Sequence, residues 1–238
     1  MVSSKWCYVA CGGLHPDETC TSLTLLTKKA MQTNPATDTD LRRLILDTTR
    51  HLLMQDGYKS LSMRKIAREI DYSATSIYLY FDNKDALFHA LIDEGMEHLL
   101  GALKQAEASN PSDAPTRLQA ICRQYVNFGL SNPEYYEIMF MLHPEHMERY
   151  PAEKYRRARR NLDVIAAVLS EGVDQGFFVM KDPRVTASTI WSALHGAVSL
   201  LLVQRVDIRI DRNDFIESTI AFVLQGVLGK DAITTISS

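Results

Sequence analysis

The sequence predicts an all-α fold of about nine helices, and three observations carry that prediction. Apolar residues recur at helical spacing through nearly every stretch from residue 39 onward. Strand-like alternation is confined to Val206–Ile210, which is short and reads as a loop. Proline, glycine and capping residues divide the periodic stretches into segments of ordinary helix length.

Taken in order, Leu41, Leu44, Ile45, Thr48 and Leu52 form one stripe of a first helix, 40–56. Thr39 or Asp40 caps it and Gly57 stops it in a left-handed conformation. Met63, Ile66, Ala67 and Ile70 mark a shorter helix behind the cap Ser62. Asp71-Tyr72-Ser73 makes a turn, and Ala74, Ile77 and Phe81 define a third helix, 74–81, capped by Ser73. Asp82 and Asn83 start a long fourth helix through Leu87, Leu91, Leu99 and Leu103. Beyond a turn at 109–113, further helices are expected at 115–130, 133–142, 152–175, 183–205 and 212–228. Pro133 and Pro183 fall in first turns, where a missing N–H costs nothing, and Gly172 and Gly176 punctuate the end of the 152–175 helix.

At 238 residues, 46% hydrophobic and 23% charged, the chain has an ordinary globular composition. Its net charge of −3 excludes a wholly basic nucleic-acid coat, but not a local DNA-binding surface. No apolar run approaches the roughly 18–20 residues of a membrane helix, so no spanning segment is expected. Cys7, Cys11 and Cys20 lie in the first 20 residues and only Cys122 in the body. The short apolar run at Lys5–Cys11 is like that of a signal peptide, but soon meets His15, Asp17 and Glu18. Cys7 and Cys11 have a spacing zinc tolerates, with no paired second half. Residues 1–38 are read instead as a disordered leader, or as the product of an upstream start with Met31 the true one, and 230–238 as a tail.

Residues 62–81 read as helix, turn, helix, each too short to bury enough surface alone, so they need the 40–56 helix as a platform. Thr75, Tyr78 and Leu79 share the outward face of the second helix. An exposed Tyr and Leu beside a hydroxyl suit thymine methyls, base edges and phosphate oxygens. Periodicity alone equally allows a hairpin that packs Tyr78, Leu79 and Tyr80 against its neighbours.

The run from Ser62 to Leu87 resembles the DNA-binding signature of the TetR family: a hydroxyl cap, Ile66-Ala67, a Ser-led second helix, Tyr78-x-x-Phe81, then Lys84 followed by Leu87. The resemblance covers 40–88, and departs from the family at Asp71, where Gly is usual but Asp tolerates the left-handed turn. It implies a DNA-binding domain at 39–88. Ser62, Tyr78, Tyr80 and Lys84 are then implied on phosphates, with Ser73 leading the reading helix and Ala74, Thr75 and Leu79 facing bases. Helix 74–81 has no Arg, Lys, Asn or Gln, so Arg64 is expected to supply the main guanine contact, with methyl packing and DNA shape supplying the rest.

Farther on, Trp191 and His195 lie at i, i+4, and Gly196 lets a neighbouring backbone approach. They read either as a packed Trp and a satisfied core His, or as walls of a ligand cavity with Tyr125, Phe128, Met139 and Phe140. Trp191-Ser192-Ala193-Leu194-His195-Gly196 resembles the Trp…His-Gly motif of one class of TetR C-terminal domains. This implies a ligand-binding and dimerisation domain at 89–229, and the apolar wall set favours a neutral, hydrophobic or aromatic effector. The resemblance also implies that ligand moves the fourth helix, and that 183–205 and 212–228 form the interface of a homodimer. Ile190, Leu194, Ala197 and Leu201 are expected on that interface, with Val198 and Leu202 beside them.

His143-Pro144-Glu145-His146 has metal-like spacing, but Pro144 makes it a loop and no third ligand is evident. The basic run Arg156-Arg157-Ala158-Arg159-Arg160 reads as a solvated face, with Glu153 reaching Arg157 and Asp163 near Arg159 and Arg160. The expectation is a ligand-responsive repressor released from a palindromic operator on double-stranded DNA, in a bacterial cytoplasm and associated with the nucleoid. It has no catalytic residues, metal or cofactor. Two alternatives stand beside it: an interaction module that kept the helix-turn-helix without DNA binding, and a helical enzyme using His143, His146 and His195.

Overall fold

The computed structural model describes residues 38–110, 113–142 and 151–229, and packing is considered for the compact unit that begins at Arg42. Met31, Cys7, Cys11, Cys20, the 143–146 histidine motif and the 230–238 tail lie outside the described residues.

Nine α-helices occur among the described residues: α1 (Asp38–Ser60), α2 (Met63–Glu69), α3 (Ala74–Tyr78), α4 (Lys84–Ala108), α5 (Ala114–Ser131), α6 (Pro133–Tyr136), α7 (Ala152–Asp174), α8 (Pro183–Leu202) and α9 (Arg212–Gln225). The fold is all-helical. Its only strand-like feature among the described residues is an isolated antiparallel bridge between Phe178 and Leu228. There the Val179 N–H donates to the Val227 carbonyl at 3.0 Å, tying the end of α9 to the α7–α8 connection.

Caps explain where most helices begin. The side chains of Ser62, Ser73, Asn83, Asp113, Asp182 and Asp211 each accept a hydrogen bond from a backbone N–H of the first turn. Asp71 takes the left-handed conformation, φ 60°, that the family's glycine would supply. Gly57, at φ 72°, breaks α1 as expected, and a last turn follows it to Ser60.

In the body α5 is central, packed against α4, α7, α8 and α9, with Leu118, Ile121, Cys122 and Val126 wholly buried. Burial pushes the Cys122 thiol up to about 12, so it stays protonated and inert. Gly129 of α5 permits the α8 crossing, since a Cβ there would stand 2.6 Å from Val198 Cγ1.

Four expectations change. The 133–142 helix divides into α6 and a π-helical turn, Glu137–Met141. The wider turn is seated against α4, where Met139 fills the notch left by Gly95. Helix α3 ends at Tyr78, with the Phe81 N–H still bonded to the Ile77 carbonyl, while α4 runs on to Ala108.

The stripe assigned to the dimer interface instead faces inward. Ile190, Leu194, Ala197 and Val198 are buried in the protomer's own bundle, and Leu201 and Leu202 are half-buried. Apolar spacing says that a face is buried, not what buries it. Finally, α8 does have the length and hydropathy of a membrane helix, contrary to expectation. Its buried side, with Ala187, Ile190, Leu194, Ala197 and Val198, packs on α5, α7 and α9.

Candidate functional site

The head is built on α1, whose Ile45, Leu46, Leu52 and Leu53 are buried. Met63, Ile66 and Ala67 of α2, Ile77 of α3 and the following Phe81 turn inward, and the Arg42 guanidinium lies 5.3 Å from the Phe81 ring centroid. The surface away from this core carries Ser62, Arg64, Ser73, Thr75, Tyr78 and Leu79, all exposed. Ala74, Tyr80 and Lys84 are half-buried beside them.

Each hydroxyl cap is fixed: Ser62 Oγ accepts from the Lys65 N–H at 3.2 Å, and Ser73 Oγ from the Ser76 N–H at 3.1 Å. Lys84 is held in place at the start of α4, its Nζ 4.1 Å from the Tyr58 ring centroid, while the Tyr58 hydroxyl donates to Asp85. Lys65 pairs with Asp56 at 2.8 Å. Arg64 is exposed and enters no ion pair among the described residues.

A polar clasp joins this head to the body. Arg43 pairs with Asp47 and with Glu94 of α4, and the Tyr135 hydroxyl of α6 donates to the same Glu94 at 2.9 Å. Arg50 reaches Glu134 at 2.7 Å and lies 5.0 Å from the Tyr135 ring centroid. The Arg43 guanidinium, by hydrogen bonding, holds the Asp47 carboxyl below the usual carboxylate range.

The body contains a cavity of about 210 Å³, walled almost wholly by apolar atoms. Helix α4 gives Met96, Leu99 and Leu103, α5 gives Tyr125, the π turn gives Phe140 and α8 gives Trp191. Helix α7 completes it with Tyr155, Ala158, Arg159, Asn161, Leu162 and Ile165. Tyr125, Phe140 and Trp191 were expected on this wall. Phe128, Met139 and His195 do not line it: the first two are buried in the surrounding core, and His195 stands behind Trp191. The α7 contribution was missed. Its signal was the spacing Tyr155, Ala158, Leu162, Ile165, a helical stripe in which one small residue leaves space.

Behind the wall the polar groups satisfy one another. The Trp191 Nε1–H donates to the Tyr125 hydroxyl at 3.0 Å, which lies 2.9 Å from the Tyr136 hydroxyl, itself 2.6 Å from His195 Nδ1. Every hydrogen finds an acceptor if Tyr125 donates to Tyr136 and Tyr136 to Nδ1, leaving His195 Nε2–H towards Ser199 Oγ at 3.5 Å. Burial pushes Tyr136 up to about 12, raises Tyr125 too, and lowers His195, so all three are neutral at pH 7. Asn161 Nδ2 donates to the carbonyls of Ala158 at 3.1 Å and Met96 at 3.3 Å, whereas its buried Oδ1 has no partner.

On the outer side of α7, Glu97, Glu153, Arg156, Arg157 and Arg160 line an open groove. Arg157 pairs with Glu153 at 3.6 Å and Arg160 with Glu97. Among the described residues no group of three or more His, Cys, Asp or Glu could hold a metal ion.

The family model for bacterial regulatory proteins of the tetR family matches residues 45–91, and that for the tetracyclin repressor-like C-terminal domain matches 118–223. An uncharacterized HTH-type transcriptional regulator of Haemophilus influenzae is 47% identical over 49 residues, 21% of this chain and 26% of that protein. The nucleoid occlusion factor SlmA of Pasteurella multocida is 28% identical over 93 residues, 39% of this chain and 46% of that one. The chain thus spans less than half the length of these curated relatives. A solved protein of unknown function from Rhodococcus sp. RHA1 has the same fold, with a TM-score of 0.72 at 23% identity, covering 83% of this chain and 100% of that one.

Proposed function

The chain belongs to the TetR family of bacterial regulatory proteins, and from that premise we propose that it is a DNA-binding repressor that a small apolar effector releases from its operator. One observation carries the DNA-binding part. Tyr78, the last residue of α3, is 53% exposed and Leu79, which caps it, is 80% exposed, while Ile77 and Phe81 beside them are buried. An isolated surface Leu needs no explanation. A Leu and a Tyr beside Thr75, at the end of a capped helix-turn-helix, match what a major groove presents: methyl groups, base edges and flanking phosphates. On this reading Ser62, Tyr78, Tyr80 and Lys84 meet phosphates, and Arg64 meets a guanine.

The cavity supports the effector part. It is larger than the roughly 150 Å³ apolar cavity known to stay dry and take up benzene, and its hydroxyls and indole N–H are already engaged. Phe140 lines it from the π turn, whose neighbouring α6 carries the Glu134 and Tyr135 contacts to Arg50 and Glu94. A ligand that displaces Phe140 therefore has a short physical path to the head.

A palindromic operator calls for two heads. Val185 and Leu200 of α8, Val203 that caps it and Phe222 of α9 remain exposed after the protomer has folded, which supports a second copy there, away from the stripe first expected. We place the protein in the bacterial cytoplasm, on the nucleoid. The enzyme alternative does not fit a regulator family, and His195 is tied into the Tyr136 chain.

The test is fluorescence anisotropy with labelled fragments flanking the gene, across a salt series, beside a random duplex. The expected result is fragment-specific binding that falls steeply with salt and drops about tenfold with Tyr78→Ala, while the thermal midpoint stays put. Equal, weak binding to every duplex over all flanking fragments would sink the repressor and leave the helix-turn-helix as a protein-contacting surface.

A further inference from the structure

Among the described residues Arg159 is the only charged one on the cavity wall, and its place there is informative. The wall is nearly all apolar atoms although Arg159 belongs to it, and Arg159 is exposed. Its aliphatic stem therefore forms wall while its guanidinium stays in water. Tyr155 beside it is 51% exposed, so these two residues mark the mouth. Along the same helix Arg157 and Arg160 are occupied by Glu153 and Glu97, whereas Arg159 enters no ion pair among the described residues.

Deeper in, the wall offers an anion no donor: the Asn161 amide N–H groups are engaged by the Met96 and Ala158 carbonyls, and the Trp191 N–H by the Tyr125 hydroxyl. An anion carried on an apolar body would thus be kept out of the hollow and received at its mouth.

We propose that the effector is an amphipathic organic acid, its apolar body in the cavity and its acid group on the Arg159 guanidinium. This rests on the reading of the cavity as the effector site and replaces the neutral effector suggested by the wall residues alone. The volume suits a chain of about eight carbons, since roughly 150 Å³ suffices for benzene. A planar guanidinium favours a carboxylate or phosphate through two parallel N–H···O bonds, and an ammonium head would meet repulsion instead.

Octanoate, 1-octanol and octylammonium share one tail and differ in head charge, so they separate the acid from the cavity. Trp191 is on the wall and reports occupancy by its fluorescence, with Trp6→Phe removing the other indole. Octanoate is expected to bind about tenfold more tightly than octanol, and octylammonium most weakly. Arg159→Gln should bring octanoate down to the octanol level and leave octanol unchanged, and Arg159→Lys should retain part of the preference. Octanol binding as well as octanoate would overturn the acid assignment and leave the cavity standing. An octanoate preference that survives Arg159→Gln would overturn the assignment to Arg159. No Trp191 response to any of the three, with the fold intact by thermal melting, would overturn the cavity reading and this inference with it.

Discussion

In the head Tyr78 and Leu79 stand in water, 53% and 80% exposed, while in the body Tyr125 and Tyr136 are withdrawn from it, 1% and 0% exposed. The polar groups follow the same division. The outward Thr75 and Tyr78 of the head are exposed to solvent, whereas the phenols and the imidazole of the body are joined in one closed chain. The head offers groups to a partner that brings its own. The body offers a volume, and its polar groups serve to hold that volume open. Substitutions in the two regions should therefore fail differently, the body through stability and the head through recognition.

The largest expected effect tests the body. Tyr125→Ala removes a buried ring that lines the cavity and supports Trp191, and it strands the Trp191 N–H, while the Tyr136 hydroxyl keeps only its bond to His195. A loss of about 3–5 kcal/mol in urea unfolding is expected, as for other buried aromatics cut to alanine. The folded fraction should keep its operator preference. A loss below about 1 kcal/mol would mean that the walls collapse into the space, and that the volume is not held open as described.

Arg64→Ala makes the reciprocal case, with the effect in recognition and none in stability, because Arg64 is exposed on α2. Binding measured against a set of single-base operator variants should lose discrimination at one position in each half-site, by about 1–3 kcal/mol. Uniform weakening over all variants would reduce Arg64 to a phosphate contact and leave shape as the main source of specificity.

The same contrast explains what could be read before any coordinates. The head is a local object: Ser62, Ser73, Asn83 and the inward Ile66, Ile77 and Phe81 lie within one short stretch, so spacing located the caps, the turn and the inward face, while the family resemblance decided that Tyr78 and Leu79 face outward. The cavity draws on α4, α5, the π turn, α7 and α8, and no linear pattern states that Ala158 faces Leu99 and Trp191 across a gap. Phe128 and Met139 illustrate the limit. Both have the spacing of buried residues and both are buried, but burial does not distinguish a cavity wall from filled core. The interface stripe failed for a related reason, since Ile190 and Leu194 carry the same signal whether a partner or the protomer covers them.

The smallest effect concerns His195, and it tests the closed chain itself. Burial lowers its pKa, so the folded protein favours the neutral ring that accepts from Tyr136 at Nδ1. The unfolded chain titrates near the ordinary value of about 6.5. Below that pH the unfolded state binds a proton that the folded state resists, so stability is full above about 6.5 and declines as the pH falls towards the lowered folded value. Melting the wild type and His195→Gln between pH 7.5 and 5.5 isolates this contribution, because other titrating groups act alike in both. A flatter slope in the variant is expected, with operator affinity changing equally in the two proteins. Parallel slopes would mean that His195 accepts a proton as readily folded as unfolded. The Tyr136 hydroxyl would then not be its donor: His195 Nδ1–H would donate to Tyr136 and Tyr136 to Tyr125, while the Trp191 Nε1–H, a donor only, would still donate to Tyr125.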